Sequence, residues 1–401
     1  MIKRRKFLKI TAAATVAVSS SLIYPFNSAF GILLPKNRER VRIGVIGLGS
    51  RGKGLMRILI ELDFFEIVAI CDPLEFRFKE TRIISPNAKT YSNHLGLLNH
   101  KGLDAVIISS PLSTHASIAM AAIDAKVHIY CEKTMVKGYI DTLKLTEKVT
   151  NHHKKVFQTG HQYHSSRLYS HLVEKIQDGE IGKVTSVQAQ WNRNGNWRRA
   201  VHEPSLERQI NWRMYREYSY GLLAELSSHQ IDFVNWFSNS QPERVTGFGG
   251  IDYWKDGRET YDNTHVIYAY PCGLKASFTC LTSNAKDDYQ IRVSGDKGTI
   301  IIGRNAAWEF TEGKYNKTYG DVDGVSGATM NWEESKGKPI QFEHLDPTKQ
   351  ALIDFRDAII NTTIPLSNVF TGAKTSIAID MGIKAMDTNK TVYLKDFNKA
   401  I

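Results

Sequence analysis

The chain has 401 residues, enough for two domains of ordinary size and too many for one small core. Its 42% hydrophobic and 23% charged residues exclude a disordered or membrane-embedded body. The net charge is +11, but Lys3, Arg4, Arg5, Lys6 and Lys9 supply five of those charges, and the +6 that remains is scattered among acids; a nucleic-acid partner, which needs a clustered basic surface with exposed aromatics, is excluded.

In chain order, the basic start is followed by Ile10 to Ile23, an apolar and small-residue run without a charge. That pattern predicts an export signal over residues 1–30. The paired Arg4-Arg5 before Phe7-Leu8-Lys9 resembles a twin-arginine signal, with Lys3 where Ser or Thr is usual. The run is shorter than the roughly 20 residues a spanning helix needs, so the expectation is a periplasmic protein with no stable membrane span after processing. The four cysteines, Cys71, Cys131, Cys272 and Cys280, show no C-x-x-C spacing and are expected as buried thiols. Cys272 in the turn Pro271-Cys272-Gly273 is poorly placed to pair with Cys280 on the following strand.

Val41 to Ile46 reads as a buried strand ending in Gly47-Leu48-Gly49-Ser50-Arg51-Gly52, before a helical pattern at Leu55, Met56, Leu59 and Ile60. Strand, glycine turn and helix make a dinucleotide-binding fingerprint. Gly47 allows the tight turn, Gly49 the approach of a pyrophosphate and Gly52 close packing of helix on strand, while the helix N-terminus presents free N–H groups to phosphate. Ile67 to Cys71 is a second strand, ending in Asp72, twenty residues past Gly52. An acid there is expected on the ribose hydroxyls and favours NAD over NADP, with Arg77 nearby keeping NADP open.

Strands at Ala105–Ser109, Val127–Cys131 and Val156–Thr159 alternate with helices at Ser113–Ala125 and Ile140–Thr150. The expectation is an α/β Rossmann domain with a doubly wound parallel sheet over residues 40–160. Ser109-Ser110-Pro111, Glu132-Lys133 and Gly160-His161 then lie at strand carboxyl ends, facing the cofactor crevice. After a helix near Arg167–Gln177 the rhythm changes to long alternating strands at Val184–Trp191, Thr264–Tyr270, Lys275–Leu281 and Gln290–Ser294. Residues 161–401 are expected as an α+β domain with a large, mostly antiparallel sheet, and the loop Asn192–Tyr218, rich in Arg, Trp, Asn and Tyr, as its substrate-contacting or surface loop. His161, Tyr163, Trp212 and Arg213 are candidate substrate contacts. In the helical stretch Gly221–Asp232, Glu225 and His229 stand four apart and share a face. A carboxylate beside the imidazole would raise its pKa and orient it, which makes His229 the candidate base. No His or Cys spacing supports a metal site.

Gly47 to Gly52, Asp72, Ser109-Ser110-Pro111 through His115, Glu132-Lys133 and the Glu225–Asp232 helix together resemble the Gfo/Idh/MocA oxidoreductases. The resemblance spans almost all of the chain after the signal. It implies an NAD(P)-binding Rossmann domain joined to a mostly antiparallel sheet domain, an enzyme acting on sugars or cyclitols, and a homo-oligomer. In the family's E-K-P motif the lysine reaches substrate, which carries over to Lys133; its D-x-x-x-H pair corresponds to Glu225 and His229. Thr134 replaces the proline, and Glu225 replaces the aspartate. The cofactor set this implies is Gly47, Gly49, Ser50, Arg51, Gly52, Asp72, Ser110, Pro111, His115, Glu132 and Lys133. The expected reaction is oxidation of a sugar hydroxyl, with His229 as base, Lys133 on the alkoxide and Glu225 orienting His229. Export implies a tightly held cofactor. The alternatives are a redox-neutral NAD-dependent glycosidase or lyase, and a dinucleotide-binding protein without catalysis.

Overall fold

The computed structural model describes residues 40–312 and 337–397; the expected export signal lies outside them. Six parallel strands form the first sheet: β1 (Val41–Ile46), β2 (Phe65–Cys71), β3 (Lys89–Tyr91), β4 (Ala105–Ile108), β5 (His128–Cys131) and β6 (Phe157–Thr159). Their spatial order is β3-β2-β1-β4-β5-β6. The chain therefore reverses direction across the sheet between β1 and β4, and a crevice opens at their carboxyl ends. The central strands β1, β2 and β4 are mostly apolar and buried because helices cover both faces. Helices Ser50–Glu61 and His115–Asp124 begin within a few residues of β1 and β4, so their N-termini face that crevice.

The second sheet has nine strands. They are β7 (Val184–Asn194), β8 (Arg244–Gly250), β9 (Asn263–Ala269), β10 (Lys275–Leu281), β11 (Ser283–Gly295), β12 (Gly298–Ile302), β13 (Ala307–Thr311), β14 (Lys338–Pro339) and β15 (Val392–Tyr393). The order is β14-β13-β12-β11-β7-β10-β9-β8-β15. Neighbours run antiparallel except β7 and β10, which are parallel. One face is apolar, packed against the helices Arg167–Gln177, Ser228–Phe237 and Val369–Thr388. β10 has the bounds expected from the sequence and β9 is shifted by one residue, whereas β7 and β11 run longer: β7 continues three residues past Trp191, which carries Arg193 into the sheet.

Two C-terminal helices tie the sheets together. The helix Pro347–Asn361 returns to the first sheet, where Ala351, Leu352, Phe355 and Ala358 join its core. The helix Val369–Thr388, started by a reciprocal Asn368–Thr371 cap, places Val369 and Ala373 in the core over β4–β6 and Ile377 through Met386 under the second sheet. This helix thus fixes the two sheets relative to each other. Cys71, Cys131 and Cys280 are buried free thiols, whereas Cys272, expected buried, is exposed because its turn projects into solvent. Among the described residues no helix is long and apolar enough to cross a membrane.

Candidate active site

At the end of β1 the chain turns sharply through Gly47, whose φ of +92° favours glycine and whose N–H donates to the Cys71 carbonyl at 2.8 Å. A β-carbon on Gly47 would lie 2.5 Å from the Ser110 nitrogen, and one on Gly52 would overlap the Gly47 carbonyl. Gly49 is different: a β-carbon there would meet only Arg77, at 3.6 Å. Two of the glycines are thus demanded by the protein's own packing and the third leaves a clear approach. Gly49 caps the Ser50–Glu61 helix without a side-chain bond. The first-turn N–H groups therefore face an open cradle of the kind a pyrophosphate fills, and the residues fit a dinucleotide.

The other expected cofactor residues divide into those on the cavity and those behind it. Asp72 is buried and accepts from the Leu48 and Leu74 nitrogens at 2.8 and 2.9 Å and from Arg77 at 3.0 Å. Its carboxylate holds the glycine turn, and room for ribose hydroxyls requires a donor to yield. Ser109 ties β4 to the turn, its hydroxyl donating to Gly47 O at 2.7 Å. Ser110 pairs with Thr114 at 2.7 Å, and the Pro111 carbonyl accepts from the same threonine hydroxyl. His115 has its two ring nitrogens 3.0 Å from the Ser110 and Thr134 carbonyls, bracing the ends of β4 and β5. Arg51 donates to Glu132 at 2.8 Å across the cavity floor.

A cavity of about 360 Å³ opens from this crevice toward the second sheet. Arg51, Ser110, His115, Glu132 and Lys133 line its first-domain side; Trp191, Arg193, Trp212, Arg213, Glu225 and His229 line the other. The Lys133–Thr134 peptide is cis, and Thr134 Oγ1 donates to Ala224 O at 2.9 Å. Lys133 Nζ donates to the Glu225 carbonyl at 2.6 Å. Burial pulls the Lys133 pKa below its ordinary value, against the opposing pull of the Glu225 and Glu132 carboxylates.

The expected Glu225–His229 pair does not form. Residues four apart stack only at 3.6 residues per turn, and Leu223–Ser227 is a wider π-helical turn. The Glu225 carboxylate accepts instead from Arg213 Nε at 2.9 Å and Ser219 Oγ at 3.0 Å. Burial pushes its pKa up, but Arg213 and Lys133 outweigh that and hold it below the usual carboxylate value. His229 is buried among aromatics, its ring 4.9 Å from Tyr163, 5.7 Å from Trp191 and 5.9 Å from His161. Its pKa is lowered well below 6.5, by burial first and then by Lys133, the reverse of the raised value expected from a carboxylate partner. The imidazole is therefore neutral at pH 7, and its Nδ1 has no hydrogen-bond partner among the described residues. A neutral, unpartnered imidazole beside an ammonium can take a proton while the ammonium steadies the oxyanion left behind.

Trp212 and Arg213 line the cavity as expected for substrate contacts. His161 does not: it is 0% exposed, 3.7 Å from Asp232, and stands behind His229. Tyr163 lies stacked on Tyr169 at 4.2 Å and faces His229, so it supports the imidazole rather than the cavity wall. Asp232, which carried no sequence signal beyond its place on the helix, accepts from His164 at 2.8 Å and Thr375 at 3.0 Å. Trp191, Arg193, Trp197 and Arg199 also line the cavity and were individually unmarked in the sequence. The signal that finds the first two is register: Val187, Ala189, Trp191 and Arg193 alternate onto one face of β7. Among the described residues no group of three or more His, Cys, Asp or Glu is placed to hold a metal.

A parallel sheet in this strand order, a glycine cradle at its switch point, and a lysine after β5 that meets a histidine from a helix packed on the second sheet define the class of two-domain, dinucleotide-fold oxidoreductases. Residues 41–161 match the oxidoreductase-family NAD-binding Rossmann fold, and residues 169–301 match the GFO/IDH/MocA C-terminal domain. The chain belongs to the Gfo/Idh/MocA oxidoreductase family. It is 26% identical over 270 residues to the myo-inositol 2-dehydrogenase of Thermotoga maritima, covering 65% of this chain and 75% of that protein. It is 24% identical over 346 residues to the 2,7-anhydro-N-acetylneuraminate hydratase of Escherichia coli K12, covering 83% and 87% respectively. The fold superposes on the aldose-aldose oxidoreductase of Caulobacter crescentus, solved with glycerol, at a TM-score of 0.71, with 17% identity and coverage of 89% of this chain and all of that one.

Proposed function

We propose that this protein is an NAD(P)-dependent oxidoreductase that moves hydride between a hydroxyl-bearing carbon of a sugar or polyol and a retained nicotinamide cofactor. The observation that carries the reading is the meeting of His229 and Lys133 in one cavity that Arg51 of the glycine turn and Ser109 and Ser110 of the β4 end also line. His229, which lines the cavity as a neutral imidazole, takes the hydroxyl proton as the carbon gives up hydride. Lys133 steadies the alkoxide, held in place by the Glu225 carbonyl. Glu225 fixes Arg213 on the opposite wall. The nicotinamide, when bound, supplies the hydride acceptor; Gly47, Gly49, Ser50, Arg51 and Gly52 would hold its pyrophosphate and Asp72 its ribose. Asp72 favours NAD, while Arg77 beside it keeps NADP open. We read residues 1–30 as a twin-arginine-type signal that exports the folded protein to the periplasm with its cofactor loaded. Incubating the purified protein with sugars and polyols while following absorbance of the reduced nicotinamide tests the reading. Absence of reduction with every substrate, in protein shown to contain cofactor, would overturn it.

A second reading is redox-neutral elimination or hydration through a transient keto sugar. It is favoured by the long match to a hydratase, and by two proton-carrying groups, Lys133 and His229, in one cavity with lowered pKa values. Product formation without net cofactor reduction is its signature.

A further inference from the structure

The second-sheet wall of the cavity carries a cation that none of the steps above uses. Arg193 follows Val187, Ala189 and Trp191 on the inward face of β7, so an arginine extends a row that is otherwise buried and apolar. Its Nε is buried with no hydrogen-bond partner among the described residues. Four arginines line this cavity, and two are spoken for: Arg51 by Glu132 and Arg213 by Glu225. The carboxylate whose charge acts on Arg193, Asp288, is held by Arg304, whose Nη2 lies 2.6 Å from Asp288 Oδ1. Burial and the neighbouring Arg304 both act against the Arg193 charge. A buried guanidinium edge without an acceptor is costly unless a ligand supplies one.

Two rings frame the same group. The Arg193 guanidinium carbon lies 5.5 Å from the Trp191 ring and 5.1 Å from that of Trp197. These faces hold the guanidinium in place on a residue that lines the cavity, and Trp191 also lies 5.7 Å ring to ring from His229. Arg199, the fourth arginine, differs. Its backbone is clamped by Asn211 at 2.7 and 3.1 Å, and the charges it feels are those of Arg213 and of Arg77, beside Asp72.

We propose that the sugar substrate carries a carboxylate, received by the Arg193 fork between Trp191 and Trp197 while the reacting hydroxyl lies at His229. An arginine edge and a carboxylate are planar and match as a two-bond pair. This specifies the substrate class of the oxidoreductase reading and rests on it for the carbon that reacts.

The test uses the cofactor-loaded protein and matched sugars: glucose with glucuronate, galactose with galacturonate, and the 6-sulfates of both hexoses. Binding is read by quenching of tryptophan fluorescence and turnover by nicotinamide absorbance. Uronates should bind roughly ten- to hundredfold more tightly than their neutral parents, the range for a charge-assisted pair. That preference should fall below about twofold in Arg193→Gln, be partly kept in Arg193→Lys and be unchanged in Arg199→Gln. In wild type, added salt should weaken uronate binding and leave the neutral sugars alone, which keeps the test valid if a variant fails to fold. Equal binding of uronate and parent, tighter binding of the sulfates than the uronates, or equal losses for both members in Arg193→Gln would overturn the proposal. Reduction by neutral sugars without acid preference would sink this inference and spare the oxidoreductase reading; uronate-selective binding with no reduction by any sugar would do the reverse.

Discussion

The two walls of the cavity are built on different principles. On the first-domain wall the backbone does the recognising: Gly47 and Gly52 are fixed by their own close contacts, Gly49 leaves an open approach, and Asp72 holds the turn from behind. On the second-sheet wall side chains do it: Trp191 and Arg193 stand on a strand, His229 on the helix that follows the π-helical turn and Trp212 on a short 3-10 turn, and their chemistry depends on what packs beside them. A wall made of backbone tolerates no change of shape at a few positions. A wall made of side chains can be retuned one residue at a time, which is how a family keeps one cofactor and varies its substrates.

The largest expected effect is on the second wall. His229→Ala should lower single-turnover hydride transfer by roughly 10²- to 10⁴-fold, the range for loss of a general base, with the amount of bound cofactor unchanged. Near-normal transfer would remove His229 from the mechanism. On the first wall the glycines should separate. Gly52→Ala forces a β-carbon into the Gly47 carbonyl and should cost about 1–3 kcal/mol of stability as overpacking, with loss of copurifying dinucleotide. Gly49→Ala meets nothing closer than Arg77, so the fold should melt within a degree or two of wild type while dinucleotide affinity falls. Equal melting losses in the two variants would show that the cradle is not the open side of the turn.

These contrasts also explain what was legible beforehand. The first wall was readable because a backbone requirement leaves glycines at fixed intervals after a strand, and strand-to-helix alternation fixed the sheet around them. The second wall was partly hidden. His229 and Glu225 were found, but their pairing was expected from an ideal helix; the π-helical turn at Leu223–Ser227 and the capture of Glu225 by Arg213, twelve residues earlier, are tertiary facts without a local signature. His161 looked like a substrate contact because it follows a strand end, yet it is sealed behind His229. Arg193 was lost in a loop because β7 was ended at Trp191; the alternation that buries Val187, Ala189 and Trp191 runs one step further. Short edge strands such as β3 and β14, of three and two residues, carry too little pattern to read.

The pH profile sharpens the difference between the expected and the observed His229. A His paired with a carboxylate would have its pKa raised and the acid limb of kcat/KM above 6.5. Here burial and Lys133 lower it, so the acid limb should lie below 6.5 and activity should be flat through neutrality. The same burial has a stability consequence. His161 is held down to about 4, and His229 well below 6.5, so the unfolded chain binds more protons than the native one as pH falls from 6.5 toward 4. Stability should be lost across that window, measurable as a falling melting temperature, whereas groups with raised pKa values would give the opposite slope.

The smallest effect bears on Glu225. Its charge is among the forces that raise the Lys133 pKa, but it is not among those acting on His229. Glu225→Gln should therefore leave the acid limb of kcat/KM where it is and move the alkaline limb, where Lys133 loses its proton, to lower pH. Removing the carboxylate also frees Arg213, which itself lowers the Lys133 pKa, so the two changes act in the same direction. If instead the acid limb moved down in this variant, Glu225 would have been raising the His229 pKa in the working enzyme. The two residues would then come together as the sequence spacing first indicated, and the π-helical turn would have to close to a regular one during the reaction.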